Sequence, residues 1–289
     1  MGISVEWWGS SAFRIRFNDT CILLDPYISR NFYADPIPPL TLAQLADNAD
    51  QILLSHGHFD HIADVPALLR QNPIVRVHGP EMALQTIRRE GGQGTDLNQG
   101  RVKISDDVNA EVFLSKHLRP DFRSIAKTVL RTMVSKASLS CLRPALLRKY
   151  PGGESLSYVI TFKTTDASPF RIQFLGSAGP TDEMLQSWAR VHRRMDCLLL
   201  PLQGHSKINE IGARIVEILK PRFVIPHHHD DYYPPLSQKS DLSALKRLIA
   251  EKTPDTVLLE LDAGTSHTFD LQTKKAAPDE SDAALSELR

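Results

Sequence analysis

Apolar and polar residues alternate strictly in the segment AFRIRF, with Phe13, Ile15 and Phe17 on one side and Arg14 and Arg16 on the other. A two-residue period marks a half-buried strand. TCILLD follows across the short Asn18-Asp19 turn, so the chain opens as a meander. QILLS (51–55) is a short apolar run that suits a buried strand. IADVPALLRQ then takes helical spacing, PIVRVH returns to a strand pattern, and PEMALQTIRRE is helical again, with Pro80 at its start and GGQG at its end. EVFLSKH (111–117), LSYVITFK (156–163) and FRIQFLGS (170–177) read as strands. Beyond them the elements alternate: a helix over 181–193, strand DCLLLP, helix INEIGARIVEILK, strand RFVIP, a helix over 242–251 and strand TVLLEL. A strand-rich first half and an alternating second half predict helices packed outside two sheets in one α/β domain. That domain is expected to span 1–270, with the polar KKAAPDESDAALSELR in a loose tail over 271–289.

One segment departs from this pattern. From Lys116 to Lys149 there are nine basic residues and one acid, Asp121, so the segment carries +8 within a neutral chain. Arg119, Arg123, Lys127 and Arg131 recur at every fourth position, and Phe122, Ile125, Ala126, Val129, Leu130 and Met133 fill an opposite helical face. A basic amphipathic helix inserted at about 118–150 is predicted. Three roles are open to it. It can be a solvated face with its apolar side on the core. It can be a lid beside His117, with Arg119 and Arg123 binding an anionic substrate. It can lie on a membrane surface.

Composition narrows the class. A chain of 289 residues with 42% hydrophobic and 24% charged residues can bury a sizeable core. A formal net charge of zero gives no argument for nucleic acid as a partner. Cys21, Cys141 and Cys197 are scattered and odd in number, which suits reduced thiols in a cytoplasmic protein rather than a disulfide framework. No signal-peptide pattern or membrane-length apolar run is present, and Glu6 stands where lipidation of Gly2 needs Ser or Thr. A homo-oligomer is expected. Trp7 and Trp8 are expected in the core.

The chemistry is concentrated in LLSHGHFDHIADV (53–65), where His56, His58, Asp60 and His61 crowd into six positions between a strand and a helix. Imidazole and carboxylate are ligands that zinc takes in catalytic sites. His56 and His58 alternate on an extended turn and can aim at one metal, leaving Asp60 and His61 for a second. The bland alternative is a surface turn of solvated histidines.

SHGHFDH is similar to the H-x-H-x-D-H signature of the metallo-β-lactamase superfamily. CILLDPY resembles that family's early strand ending in Asp-Pro, which makes Asp25 the buried aspartate behind the metal loop. FLSKH resembles its third motif, with His117 as the remaining ligand of metal one. LLPLQGH and ILKPRFVIPHHHDDYYPPL resemble the late strands of its lactonase-like and phospholipase-D-like branch. The resemblance runs in order from about Ile3 to Leu236. It implies a four-layer αββα sandwich with metals at the sheet edges, and hydrolysis by a metal-bound hydroxide. It assigns His56, His58 and His117 to metal one, and Asp60, His61 and a histidine after VIP to metal two. Among His227, His228 and His229 the branch favours His228, and alternation along extended chain turns the other two away from it.

One position departs from the family. Its strand after the third motif ends in Gly-Asp, whose aspartate bridges the metals, and here FLGSAG puts Ser177 there. A hydroxyl is a poor substitute for anionic oxygen. Asp182 is expected in the next helix and out of reach. His205 sits where the family has a loop over the metals, so it is a candidate proton donor beside Asp60, or else a helix-entry residue with Ser206 as the cap. The expected function is a hydrolase of a small anionic ester, lactone or phosphoester. It would use one or two Zn²⁺, with Mn²⁺ or Fe²⁺ as substitutes. The alternatives are a phosphodiesterase acting on lipid headgroups or nucleotides, and a non-catalytic binding protein with a degenerate site.

Overall fold

The computed structural model describes residues 2–97, 100–135, 150, 152–164, 168–192 and 195–271. The meander forms as expected: β1 (Gly2–Trp7), β2 (Phe13–Phe17) and β3 (Thr20–Leu24) pair antiparallel. Asn18 supplies the positive φ (52°) that the tight β2–β3 turn needs. Phe13, Ile15 and Phe17 are buried, while Arg14 and Arg16 on the other side both reach the Glu6 carboxylate of β1. β4 (Gln51–Leu53), β5 (Arg76–Gly79) and β6 (Thr95–Asp96) add in parallel, and β14 (Thr265–Asp270) closes the far edge against β1. The first sheet thus runs β14-β1-β2-β3-β4-β5-β6.

The second sheet contains β7 (Gly100–Lys103), β8 (Val108–Ser115), β9 (Ser155–Phe162), β10 (Phe170–Leu175), β11 (Cys197–Pro201), β12 (Phe223–His227) and β13 (Val257–Leu258), in reverse chain order across the sheet. The strands from β7 to β10 pair antiparallel, and those from β10 to β13 pair parallel. Parallel strands covered on both faces explain the unbroken apolar CLLLP of β11.

Three apolar clusters define four layers. Ile3, Ile15 and Leu53 of the first sheet meet Tyr158, Phe174 and Ile225 of the second in a shared core. The outer face of the first sheet packs on α1 (Leu42–Ala46), α3 (Val65–Gln71) and α4 (Glu81–Arg89) through Leu45, Leu68 and Leu84. The second packs on α6 (Asp182–Val191), α7 (Ile208–Leu219) and α8 (Ser243–Lys252) through Leu185, Val216 and Leu245. This is the expected αββα sandwich. Trp7 and Trp8 are buried, as are the free thiols Cys21 and Cys197. Cys141 lies outside the described residues, as do all but Leu271 of the expected tail.

Two local expectations need correction. The strand read over 256–261 is regular only at Val257–Leu258, and β14, which lacks a β-branched or apolar run, carried no sequence signal. The basic helix forms as α5 (Phe122–Val134), capped by Asp121, but it is turned over relative to the first reading. Ser124, Thr128 and Arg131 are its better-covered side, and Phe122, Leu130 and Met133 face outward. The surface beneath it mixes polar groups of the 203–206 and 238–241 stretches with Ile208, Tyr232 and Leu236. Asp121 accepts from Ser206 N (3.0 Å), and Arg131 donates to Gln238 and the Leu236 carbonyl. Hydrogen bonds, rather than apolar burial, therefore set its orientation. Residues 136–149 of the insertion lie outside the described residues.

Candidate metal centre

The candidate site lies at the carboxyl ends of β3, β4, β10 and β12, where loops leave the sandwich at one edge. Asp25 directly follows β3 with φ 40° and is wholly buried. Its carboxylate accepts from Ser55 N (2.7 Å), from Ser55 Oγ, and from His61 Nδ1 (2.6 Å). It therefore fixes both the start of the histidine loop and the tautomer of His61, leaving His61 Nε2 to face the site.

The loop after β4 carries the cluster into α2 (Phe59–Ile62). His56 Nδ1 lies 2.9 Å from Ser55 Oγ, and its Nε2 meets His58 Nδ1 at 2.9 Å. His117, just beyond β8, places its ring 4.8 Å from that of His56 and 4.6 Å from that of His58. Its Nδ1 donates to the Leu118 carbonyl at 2.8 Å, so Nε2 is the nitrogen left with a lone pair.

At the end of β12 the three consecutive histidines separate, because the strand stops at His227 and His228 takes a left-handed backbone. His227 is fully buried between Phe13 and Phe174, with Nε2 on the Leu175 carbonyl at 3.2 Å, and His229 stacks on Trp7 at 4.8 Å. His228 alone turns into the site. It takes a positive φ (56°), its N–H donates to the Ser10 carbonyl, and its Nε2 stands 3.2 Å from Asp60 Oδ2.

Two groups of donor atoms result. His56, His58 and His117 form one, and Asp60, His61 and His228 the other, each with its atoms within 4.8 Å of one another. Asp25, His56 and His61 also satisfy that distance, but the Asp25 oxygens are already engaged by three donors. Burial and mutual repulsion push the His56 imidazole well below its ordinary range, and burial likewise lowers His58. Desolvation of its ring and repulsion from His58 and His61 bring His117 down to about 4, although the residue as a whole remains exposed. For His61 burial works downward, but Asp25 and Asp60 outweigh it and the net shift is upward. For Asp60 burial works upward, yet His61 and His228 hold the carboxyl far below its usual range. Three neutral imidazoles converging on one point, beside an ionised carboxylate, suit a divalent cation. His228 Nδ1 is buried without a hydrogen-bond partner.

His58, Asp60, His61, His117 and His228 floor a cavity of 1220 Å³, which Lys116, Arg119 and Tyr232 also line. Of the other anticipated residues, Arg119 reaches this cavity and Arg123 does not. His205 lines a neighbouring 590 Å³ cavity under α5, where its Nδ1 accepts from Lys207 N at 3.0 Å. Ser206 does not cap α7, because its hydroxyl goes to Asp121. Ser177 borders the metal cavity but is committed to the protein: its Oγ accepts from Leu118 N at 2.8 Å and so ties down the loop behind His117. Asp182 opens α6 and pairs with Arg214 at 2.6 Å.

Two residues went unnoticed in the sequence. Tyr232 hydrogen-bonds Asp60 and sets its ring 4.8 Å from that of His228. Gly152 holds φ +73° and passes so close to His58 that a Cβ there would lie 2.5 Å from Nε2. Only the fold shows that this glycine approaches His58.

An αββα sandwich with paired His/Asp donor sets at one edge defines a metallo-hydrolase architecture. Residues 20–229 match the family described as the beta-lactamase superfamily domain, and the chain belongs to that family. It is 25% identical over 273 residues to a metal-dependent hydrolase of Aeropyrum pernix, covering 92% of this chain and 97% of that one. It is 26% identical over 260 residues to a metal-dependent hydrolase of Pyrococcus furiosus, covering 89% and 96%. Among solved structures it resembles Igni18, a metallo hydrolase from Ignicoccus hospitalis, with TM-score 0.64, 18% identity and coverage of 94% of this chain and 100% of that one. The chain is a metal-dependent hydrolase of the metallo-β-lactamase superfamily.

Proposed function

We propose that the substrate is a small anionic ester, lactone or phosphoester, and that the metal is zinc, held by His56, His58 and His117 and by Asp60, His61 and His228. The observation that carries this reading is that five of the six donor residues, His58, Asp60, His61, His117 and His228, line one cavity that Lys116 and Arg119 also line. Bound zinc supplies Lewis-acid polarisation and makes water acidic near neutral pH. The chain's own groups do the rest. Lys116 and Arg119 attract and orient the anionic end of the substrate. Asp60, kept ionised by His61 and His228, is the anionic ligand of the second donor set at any working pH. Tyr232 donates to Asp60, which fixes the direction of that carboxylate. Asp25 holds His61 in one tautomer.

The test is metal analysis of protein purified without chelator, followed by turnover of a panel of carboxylesters, lactones and phosphodiesters before and after metal removal. Metal-dependent turnover of anionic members is expected. Preference for phosphodiesters would select the phosphodiesterase form of the same reading. Ser177, bound to Leu118 N where the family has a bridging carboxylate, favours one further reading, a binding protein with a partial site. One metal or none per chain, with no turnover across the panel, would select it.

A further inference from the structure

The α5 helix turns most of its apolar side to solvent, although Ile125 and Val129 edge the cavity beneath it. Phe122 is 83% exposed, Met133 76%, Val134 74% and Leu130 63%, and no residue of the helix is buried. Its polar side faces the protein, tied down at both ends by Asp121 to Ser206 and by Arg131 to Gln238. This inverts the usual rule for a helix on a globular body, whose apolar stripe faces the core. An apolar stripe held outward by hydrogen bonds marks an interaction surface.

Its charge identifies the partner. Arg123 and Lys127 are exposed along one flank of the stripe, and Arg119 stands just before the helix. Asp121, the only acid of the segment, is spent on Ser124 and Ser206. A second copy packed across a two-fold axis would set this basic flank against itself, a like-charge contact that opposes docking. An anionic lipid surface neutralises the flank and takes up the apolar side chains. Exposed Phe32 (88%) and Tyr33 lie in a loop that Asn31 fastens to the Pro234 carbonyl, beside the 236–238 stretch that Arg131 holds. Further apolar side chains thus flank the same anchoring loop. Among the described residues no helix is long and apolar enough to cross a membrane, so the contact is peripheral.

We infer that α5 is an interfacial helix that seats the protein on anionic lipid surfaces. Arg119 and Pro120 line the metal cavity at the start of this element, which places the cavity mouth beside the lipid. The inference rests on the helix and not on the substrate proposed above.

The test is flotation of the metal-loaded full chain with large unilamellar vesicles of phosphatidylcholine, with and without a quarter phosphatidylglycerol. Binding to the anionic vesicles is expected, with weakening by at least tenfold between low and physiological salt and little binding to pure phosphatidylcholine. Leu130→Ser/Met133→Ser and Lys127→Glu should each lower anionic-vesicle partitioning at least tenfold, with metal content unchanged. Absence of wild-type binding at low salt, or binding that these variants do not alter, would overturn the inference. So would a wild-type dimer in light scattering that Leu130→Ser/Met133→Ser converts to monomer, because a second copy would then be the occupant.

Discussion

Replacing Asp25 by Asn tests whether the site is built from beneath. The side chains are nearly isosteric, and Asn tolerates the φ of 40° found there, so backbone strain does not enter. What changes is the count of acceptors. The wholly buried Asp25 carboxylate takes three donors, two from Ser55 and one from His61. Asparagine offers a single oxygen and turns its NH₂ toward one of those donors. At least one buried donor and the new amide lose their partners, at about 1–3 kcal/mol each. We expect the metal-free variant to be less stable by roughly 2–4 kcal/mol in urea unfolding. His61 also loses the partner that fixes its tautomer, and comparable losses behind a metal ligand cost about 10–100-fold in affinity. Zinc titration calorimetry on the same samples reads that effect. Stability within about 0.5 kcal/mol of wild type, with unchanged zinc affinity, would refute the assignment of Asp25 as the support of the loop. Lost zinc affinity with unchanged metal-free stability would instead make Asp25 a ligand.

Gly152→Ala puts a methyl 2.5 Å from His58 Nε2 at a φ of +73°, so it should destabilise the protein by about 1–3 kcal/mol and weaken zinc binding more than tenfold. Equilibrium dialysis checks this, and wild-type affinity would mean His58 is free to move. Metal-free protein should lose stability on acidification. His56, His58 and His117 have lowered pKa values, so their contribution is complete above about pH 6.5. It falls as pH drops through the folded-state values, about 4 for His117. His61, raised, opposes this with a contribution that is lost as pH rises, and a urea midpoint flat from pH 7 to 5 would contradict the balance. Arg119→Glu should raise KM for an anionic substrate about tenfold with kcat little changed, and an unchanged KM at low salt would remove Arg119 from the recognition surface.

The fold was legible because its strands carry two clear patterns, the alternation of β2 and the apolar runs of β4, β11 and β12. The donor sets were legible because His56, His58, Asp60 and His61 are close in sequence. His117 and His228 needed family resemblance, since their nearness to the cluster comes only from the sandwich. The orientation of α5 could not be read. Its pattern gives an apolar side but not what lies beneath it, and the loops there offer hydrogen-bond partners instead of a core. The position of His205 was unreadable for a related reason: the loop carrying it lines the second cavity with α5. Gly152 and Tyr232 act through contacts with residues distant in sequence, which no local pattern encodes.

Ser177 bears on how the site balances charge. Two divalent ions would bring +4, and among their six proposed ligands Asp60 is the only anion, with the Asp25 carboxylate standing behind His61 rather than in the ligand set. The first ion therefore raises the cost of the second, and two unequal affinities, more than tenfold apart, are expected in a zinc titration. The same uncompensated charge would draw an anionic group, such as that of the proposed substrate, toward the metals. Aspartate at 177 is one atom longer than serine. One oxygen can keep the Leu118 N–H that Ser177 Oγ now accepts at 2.8 Å, while the other faces the cavity. Ser177→Asp should then tighten the weaker zinc site by at least tenfold and weaken competition by inorganic phosphate. Loss of the Leu118 contact would show separately, as loosening of the His56–His58–His117 site. If wild type already binds two zinc ions with equal affinity and the variant does the same, Ser177 does not occupy the bridging position, and the charge argument for an anionic substrate fails with it.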